Sequence, residues 1–411
     1  MKWEKIKLGE IAEFKNGLNF DKDKYGQGVK YISVADFKDN FSVKTEGLPE
    51  LKEDNINPSY YLKDGDILFV RSNGNKELVG RSILIENTSE PLTFSGFCIR
   101  ARIISENALP KFYAYLFKSS FFRSTLSSNS GGTNINNLNQ KVLSNLNIPI
   151  PPLPTQRRIA SILSAYDDLI ENNLKRIKLL EEKAQLQYKE FLLELSTSKN
   201  KKEEYIKNCL EFYIGGGWGE ENYKEGFTEP AFVIRGTDME NVRKGDLLNV
   251  PFRYHKESNL KSRKLLTGDI VFEVSGGSKG RGQPVGRSLL ITERILSSFD
   301  APAICASFCK LIRSNGVVSS EFLYMYLFES YRNGVLEQYE KQSASNIVNF
   351  GFEELIDEQK ILIPNGNQMK EFTKNIKPFF TLISTLGQQN AKLREARDVL
   401  LPRLMSGEIE V

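Results

Sequence analysis

The chain has 411 residues, more than one hydrophobic core usually organises, so we expect at least two domains. Its 56 basic and 52 acidic residues leave a net charge of +4, which permits nucleic-acid binding without requiring it. No run of the sequence approaches the roughly 18 apolar residues of a membrane span, and the segment from Met1 to Glu10 is charged rather than apolar, so we expect a cytoplasmic protein.

Cysteine and histidine usage gives no sign of a metal site. Cys98, Cys209, Cys305 and Cys309 form no CxxC pair, and His255 is the only histidine. A structural zinc site needs four such ligands at close spacing. We therefore predict neither a metal nor another cofactor.

Short β-branched and aromatic stretches alternate with turn-forming residues in the first 110 positions. The segments YISVADF, GDILFV, RSILI and FCIRARI, between residues 31 and 103, are typical of strands. Residues 111–126 instead place Phe112, Tyr115, Leu116 and Phe122 near helical spacing. An α+β fold is predicted for this region.

A long helix is predicted after the proline-rich segment PIPPLP at residues 149–154. Thr155 is suited to cap its first turn. Apolar residues then recur every seven positions, at Leu163, Ile170, Ile177, Ala184 and Phe191.

The second half of the chain repeats the first in the same order. LKDGDILFVRSNGN at 62–75 matches LLTGDIVFEVSGGS at 265–278 with an offset of 203, and VGRSILI at 79 matches VGRSLLI at 285 with an offset of 206. KFYAYLFKSSFFRSTL from 111 resembles EFLYMYLFESYRNGVL from 321, and NIPIP from 147 resembles KILIP from 360, with offsets of 210 and 213. Ordered matches with slowly growing offsets indicate a duplication, so each copy should fold alike.

A second heptad pattern ends the chain. Its positions are Phe372, Phe379, Leu386, Leu393 and Leu400, with Ile376, Ile383 and Leu404 on the partner position. Two such stripes are expected to form an antiparallel coiled coil, with Asn173 and Asn390 either setting its register or simply lying at its surface. At Pro378 we expect the regular helix to begin or to kink. A helix of about forty residues spans roughly 60 Å, so the pair would separate the two globules around a pseudo-twofold axis.

Together these segments resemble the specificity subunits of type I restriction-modification systems. The resemblance is carried by GDILFVRSNG and GDIVFEVSGG in the two copies, by IPIPPLPTQRRIASILSAYDDLI entering the central helix, and by LREARDVLLPRLMSGEI at the C-terminus. It implies target-recognition domains at residues 1–153 and 198–367, and conserved spacer helices at 154–197 and 368–411. The second copy departs from the pattern, because it has ILIPNGNQMKEF where the first has PPLPTQRR.

The resemblance also implies which partners the chain has. Two methyltransferase subunits and, in a complete system, restriction subunits with translocase activity would assemble on the helices, while double-stranded DNA binds the domains. Methylation of adenine and cleavage would belong to those partner chains, so the chain itself is expected not to be an enzyme.

Three segments that approach catalytic motifs lack essential residues. NPSY at 57–60 lacks the second proline and the accompanying glycine motif of an adenine methyltransferase. DEQK, with Glu358 and Lys360, has no counterpart in the first copy, and GGSKGRG lacks the GK[ST] of a phosphate-binding loop.

Polar loops after each GDI strand are the first candidates for DNA contact, because Arg and Lys suit guanine while Asn and Gln suit adenine. The first copy offers Arg71, Ser72, Asn73, Asn75 and Lys76, and the second offers Ser275, Ser278, Lys279, Arg281 and Gln283. Ordinary hairpin turns remain an alternative for these residues.

Two further sets complete the candidates. Polar segments at 127–141 and 340–349 contain Thr133, Asn134 and Asn136 in the first copy, and Ser343, Ser345 and Asn346 in the second, which could equally cap turns. Arg81 and Arg287 are common to both copies, so we assign them to phosphate contact or to structure.

The sequence therefore predicts a DNA-binding subunit that recognises two unlike half-sites at fixed spacing. One alternative is a coiled-coil scaffold for other proteins. The other is a single-chain DNA methyltransferase or nuclease, which turnover by the pure protein would reveal.

Overall fold

The computed structural model describes residues 3–37, 41–53, 56–72, 78–129, 138–198, 202–276, 284–342 and 347–411. The chain divides into two compact units, one made of Met1–Asp168 with Arg394–Val411 and the other of Leu169–Leu393. Each unit holds one copy of the repeat together with part of both long helices. Within the ranges given above, none of the helices has the length and apolar character needed to cross a membrane.

The first copy is a mixed α+β domain. Its strands are β1 (Lys5–Lys7), β2 (Ala12–Asn16), β3 (Gly28–Ile32), β4 (Glu50–Lys52), β5 (Ile67–Val70), β6 (Ser82–Leu84), β7 (Leu92–Phe94), β8 (Cys98–Ile103) and β9 (Asn147–Pro149). Its helices are α1 (Pro110–Lys118), α2 (Ser120–Asn129) and α3 (Gln140–Ser144), after which the long helix α4 (Leu153–Thr197) begins.

The second copy has the same succession of elements with small additions. Its strands are β10 (Lys202–Tyr205), β11 (Leu210–Gly215), β12 (Glu229–Ile234), β13 (Phe252–His255), β14 (Ile270–Glu273), β15 (Ser275–Gly276), β16 (Ser288–Leu290), β17 (Ala303–Cys305), β18 (Cys309–Ser314), β19 (Glu340–Gln342), β20 (Val348–Phe350) and β21 (Lys360–Ile363). Its helices are α5 (Met239–Arg243), α6 (Glu257–Arg263), α7 (Glu293–Leu296), α8 (Ser320–Arg332), α9 (Phe352–Glu358) and the long α10 (Gly366–Ser406).

Strand order confirms the predicted duplication. In the first copy β2-β8-β5-β6 form one sheet, β4-β3-β7 form another, and β1 pairs with β9. The second copy repeats these orders as β11-β18-β14-β16, β13-β12-β17 and β10-β21. Even the parallel pairing of β3 with β7 recurs, as β12 with β17. The two copies are therefore the same α+β domain built twice.

The GDI strands form the centre of each core because their residues, except Glu273 at the end of β14, are apolar and face both sides of the sheet. All four residues of β5 are buried, and Phe69 packs against Phe117 and Phe122 of the aromatic helices. In the second copy Phe272 of β14 packs against Phe350 and Phe352. A continuous apolar strand of this kind needs cover on both sides, which helices and a second sheet supply.

The two long helices pack against each other in antiparallel directions, as predicted. In the second unit Ile177 packs against Ile383 and Leu386, and Phe191 stacks on Phe372 with ring centroids 4.7 Å apart. Residue numbers therefore increase along α4 in the direction in which they decrease along α10, so the two helices are antiparallel. In the first unit Leu163 shares a core with Leu404 at the other end of α10.

A buried amide pair interrupts this apolar seam. Asn173 Nδ2 donates to Asn390 Oδ1 at 3.0 Å, and the two side chains are 7% and 0% exposed. A polar pair inside a coiled coil is satisfied only when the two residues lie opposite each other, so it favours one register. The surface alternative for these residues is wrong.

The ends of both long helices differ from the sequence-based expectation. Helix α4 begins at Leu153, so Thr155 lies inside its first turn and not at the cap; Pro154 is accommodated because a first-turn proline loses no helical hydrogen bond. Helix α10 begins at Gly366 and runs through Pro378, so the expected start at Pro378 is wrong. Lys374, whose carbonyl loses its helical partner at Pro378, is exposed to water.

Gln156 fastens the start of α4 to the first copy. Its side chain is fully buried, and Oε1 accepts from Leu109 N at 2.8 Å. Nε2 donates to the carbonyls of Asn107 and Pro151, both at 2.8 Å. The second copy has Met369 at this place, where Ser319 N lies 3.5 Å from the Met369 sulfur. A thioether is a weak acceptor, so the departure noted in the second copy removes a strong anchor.

Candidate nucleic-acid interface

The aspartate of the first GDI motif holds the turn that enters β5. Gly65 has φ +89°, a conformation that favours glycine, and Asp66 after it is 1% exposed. Asp66 Oδ2 accepts from Lys63 N at 2.8 Å, and both carboxylate oxygens accept from Arg102 of β8 at 2.7 Å. This pairing raises the pKa of Arg102, so the guanidinium stays charged.

The second motif is built in the same way. Gly268 has φ +94°, and Asp269, 1% exposed, accepts from Leu266 N at 2.7 Å. Arg313 of β18 donates to the two carboxylate oxygens at 2.7 and 2.8 Å. The repeated GDI motif is thus a structural anchor. The arginines that complete it could not be recognised from the sequence, because they come from a distant strand.

We call residues 71–81 the first candidate loop; it joins the antiparallel strands β5 and β6. Arg71, half-buried, donates from its backbone N to Phe97 O at 2.8 Å, and its own carbonyl accepts from Leu138 N at 2.8 Å. Arg71 Nη1 lies 3.5 Å from Gly96 O. Ser72, also half-buried, follows directly. Arg71 therefore lies between the turn before β8 and the polar segment 127–141.

We call residues 274–287 the second candidate loop; it joins β14 to β16 and is three residues longer than the first. Ser275 pairs with Asn349 in the small sheet of β15, β20 and β19, and Ser275 Oγ donates to Asn349 Oδ1 at 2.8 Å. Asn349, the last residue of the polar segment 340–349, therefore lies beside the start of this loop. In both copies the described start of the candidate loop thus contacts a residue of a polar segment farther along the chain: Arg71 contacts Leu138, and Ser275 contacts Asn349. Both loops are also longer than an ordinary hairpin turn.

The arginines shared by both copies are held differently. Arg287 donates through Nε to Glu273 at 2.9 Å, and Glu273 is 3% exposed, so this ion pair braces the second candidate loop. The position of Glu273 is occupied by Val70 in the first copy, so the same pair cannot form there. Arg81 precedes β6, and its carbonyl accepts from Val70 N at 2.9 Å.

The remaining candidates lie outside the described residues. They are Asn73, Asn75, Lys76, Thr133, Asn134, Asn136, Ser278, Lys279, Arg281, Gln283, Ser343, Ser345 and Asn346.

The chain matches known proteins along its whole length. Residues 1–182 match the family described as type I restriction modification DNA specificity domain. The MjaVIII specificity subunit of Methanocaldococcus jannaschii is 23% identical, covering 100% of this chain and 93% of its own. The EcoKI specificity subunit of Escherichia coli is 24% identical, covering 98% and 86%. The crystal structure of the S subunit from M. genitalium superposes with a TM-score of 0.57 at 16% identity, covering 98% of this chain and 96% of that one.

The chain is a relative of the type I restriction specificity subunits. The resemblance drawn from the sequence motifs is thereby confirmed. The family match ends at residue 182, within α4, yet the second copy shows the same strand order as the first. Both halves of the chain therefore carry the architecture of a specificity domain.

Two of the three segments that approach catalytic motifs make structural contacts, and the third, GGSKGRG, lies outside the described residues after Gly276. Asn57 of NPSY caps a short helical turn, its Oδ1 accepting from Ser59 N at 3.0 Å. Lys360 of DEQK lies in β21 with its ammonium 4.8 Å from the centre of the Tyr205 ring.

Burial raises the pKa of the Cys305 thiol to about 12, which disfavours a reactive thiolate. Over the part of the chain that the structure describes, no group of three or more His, Cys, Asp or Glu residues is arranged to hold a metal.

Proposed function

We propose that this chain is the DNA-recognition subunit of a type I restriction-modification system, acting in the cytoplasm and without catalysis of its own. The observation that carries the proposal is that the same arrangement of loops occurs in both copies, with different residues in each. In each copy the first described residues of the loop after the GDI strand contact a second polar segment, at Leu138 or at Asn349, while the two loops differ in length and sequence. Two unlike loops on equivalent domains suit the recognition of two unlike half-sites.

In this proposal the loops contact the bases of the two half-sites. In the first loop Arg71 suits guanine and the asparagines suit adenine. In the second loop Lys279 and Arg281 suit guanine and Gln283 suits adenine. Arg81 contacts phosphate or holds the loop. The buried Glu273 partner favours a structural part for Arg287.

The helices supply spacing and partners. Residues 1–153 and 198–367 bind the half-sites, and the spacer helices at 154–197 and 368–411 set the spacing between the two half-sites on the DNA. Two methyltransferase subunits bind these helices, and restriction subunits join them in a complete system.

An exposed leucine stripe on α4 supports partner binding. Leu179, Leu186 and Leu193 lie seven residues apart and are 63%, 62% and 66% exposed. Since Ile177, Ala184 and Tyr188 of the same helix are buried, this stripe lies on a different face of α4. Aligned apolar side chains at heptad spacing are the pattern that a partner helix covers.

Mapping of methylated bases tests the proposed function. This chain is co-expressed with its methyltransferase subunit, and genomic adenine methylation is compared with that of cells lacking the chain. We expect methylation at one asymmetric split motif of fixed spacing, present only with the chain. Methylation that does not change in its absence would leave the coiled-coil scaffold as the better account.

Replacing Leu179, Leu186 and Leu193 together with glutamate should strongly weaken the binding of the methyltransferase subunit. Each buried leucine stabilises an interface by about 1.5–3 kcal/mol, so the triple variant should bind at least roughly 100-fold more weakly. Because the three side chains are exposed, the melting temperature should stay within a few degrees.

Co-purification and titration calorimetry measure this effect. Leu248→Glu is the matched control, since Leu248 is 87% exposed and lies on the second copy instead of on α4. Unchanged binding of the triple variant would rule out this stripe as the docking surface.

A further inference from the structure

Each copy exposes a phenylalanine at the same place in its fold. The turns SGFC at 95–98 and ASFC at 306–309 precede the equivalent strands β8 and β18. Phe97 is 56% exposed and Phe308 is 61% exposed, whereas the cysteine that follows each is fully buried. A single exposed apolar residue is ordinary on a protein surface. The exposed phenylalanine recurs at the same place in both copies although the neighbouring candidate loops differ, which indicates a function common to the two copies.

Each ring is carried by a turn bonded to its candidate loop. In the first copy the Phe97 carbonyl accepts from Arg71 N at 2.8 Å. In the second the Phe308 carbonyl accepts from Val274 N at 2.9 Å and from Ser275 N at 3.2 Å. Each phenylalanine is therefore hydrogen-bonded through its backbone to the described start of its candidate loop, at Arg71 in the first copy and at Val274 and Ser275 in the second.

The opposite side of the turn is braced in the first copy. Gly17 N donates to Cys98 O at 3.1 Å, and Gly96 N donates to Leu18 O at 2.7 Å. A Cβ at Gly17 would lie 2.2 Å from Ser95 O, so only glycine allows this close approach.

The second copy repeats this brace. Gly216 N donates to Cys309 O at 2.9 Å, and a Cβ at Gly216 would lie 2.2 Å from the carbonyls of Cys305 and Ala306. The backbone that presents each ring is thus fixed from two sides before any ligand binds. A preorganised apolar group loses little conformational entropy on binding.

We propose that Phe97 and Phe308 are DNA-contact residues, each packing its ring against a base step of the half-site that the neighbouring loop recognises. The inference rests on the proposed function. An apolar ring has no hydrogen-bonding groups with which to distinguish bases, and it is common to both copies, so its contact is independent of sequence. Apolar side chains that wedge against base steps are a known way for proteins to hold and bend a duplex.

Duplex binding by the complex of this chain with its methyltransferase subunits tests the proposal. The DNA carries the motif found by methylation mapping, or a scrambled motif. Phe97→Ala and Phe308→Ala should each weaken binding to both duplexes by the same factor, about ten- to a hundred-fold. The methylated motif should stay the same, and Phe97→Tyr, which retains the ring, should bind nearly as well as the wild type.

Matched controls are Ile104→Ala in the first copy and Leu248→Ala in the second, both at exposed apolar positions. 2-Aminopurine placed at successive steps of each half-site should lose its binding-induced fluorescence change at one step in the corresponding variant. Phenylalanine variants that bind and fluoresce like the controls would overturn the proposal, as would a changed methylation motif. A wild-type complex that recognises no split motif would instead refute the proposed function.

Discussion

Asp66→Asn is expected to destabilise the first copy by about 3 kcal/mol, because it removes the charge that compensates a partly buried arginine. Both Asp66 oxygens accept from Arg102 at 2.7 Å, and one of them also accepts from Lys63 N. An amide cannot accept the same set, since one of its two heavy atoms is a donor. The Arg102 side chain is 26% exposed, so water offsets some of the loss.

Hydrogen exchange resolved along the chain is the suitable measurement, because two domains need not unfold together. Amides of β5 and β8 should exchange faster, while those of the second copy should not change. Asp64→Asn is the matched control: Asp64 is exposed, two residues away, and accepts from Thr88 N at 3.1 Å. If β5 amides were equally protected from hydrogen exchange in Asp66→Asn and Asp64→Asn, the conclusion that Asp66 anchors this turn would be wrong. Asp269→Asn should reproduce the effect in the second copy.

Local patterns predicted much of the fold, because they report which face of an element is buried. The heptad positions Leu163, Ile177 and Leu386 are indeed buried between the long helices. The aromatic segment from residue 111 is helical, but Ser119 divides it, with ψ at 152° and Oγ accepting from Phe122 N at 3.3 Å. Periodicity continues across such a break, so it could not locate the division.

The candidate site was predicted less completely, for a physical reason. Residue type suggested which polar loops suit DNA, yet the proximity of Arg71 to Leu138, or of Ser275 to Asn349, depends on long-range strand pairing. No local pattern encodes such contacts. The exposure of Phe97 likewise depends on the turn that Gly17 braces from another part of the chain.

Gln156→Met is expected to destabilise the junction between α4 and the first copy by about 2–3 kcal/mol. Methionine has a similar length but cannot donate, so the carbonyls of Asn107 and Pro151 lose their bonds to Nε2. Leu109 N keeps at best the weak contact that Ser319 N makes with Met369 in the second copy. Unsatisfied buried polar groups each cost about 1–3 kcal/mol, and partial access to water lowers the sum.

The second copy provides the reciprocal variant. Met369→Gln should stabilise the protein only if the new side-chain amide hydrogen-bonds to the equivalent carbonyls, so we expect a smaller change in stability than for Gln156→Met.

The effect of Gln156→Met is measured by chemical denaturation together with hydrogen exchange at the Leu109 amide. Arg157→Met, at the exposed neighbouring position, is the control. A Gln156→Met protein as stable as this control would mean that the apolar contacts of Ile159 and Leu163 hold the helix alone. The expected loss instead means that the hydrogen bonds of Gln156 to Leu109, Asn107 and Pro151 are needed, beyond these apolar contacts, to hold the start of α4 on the first copy.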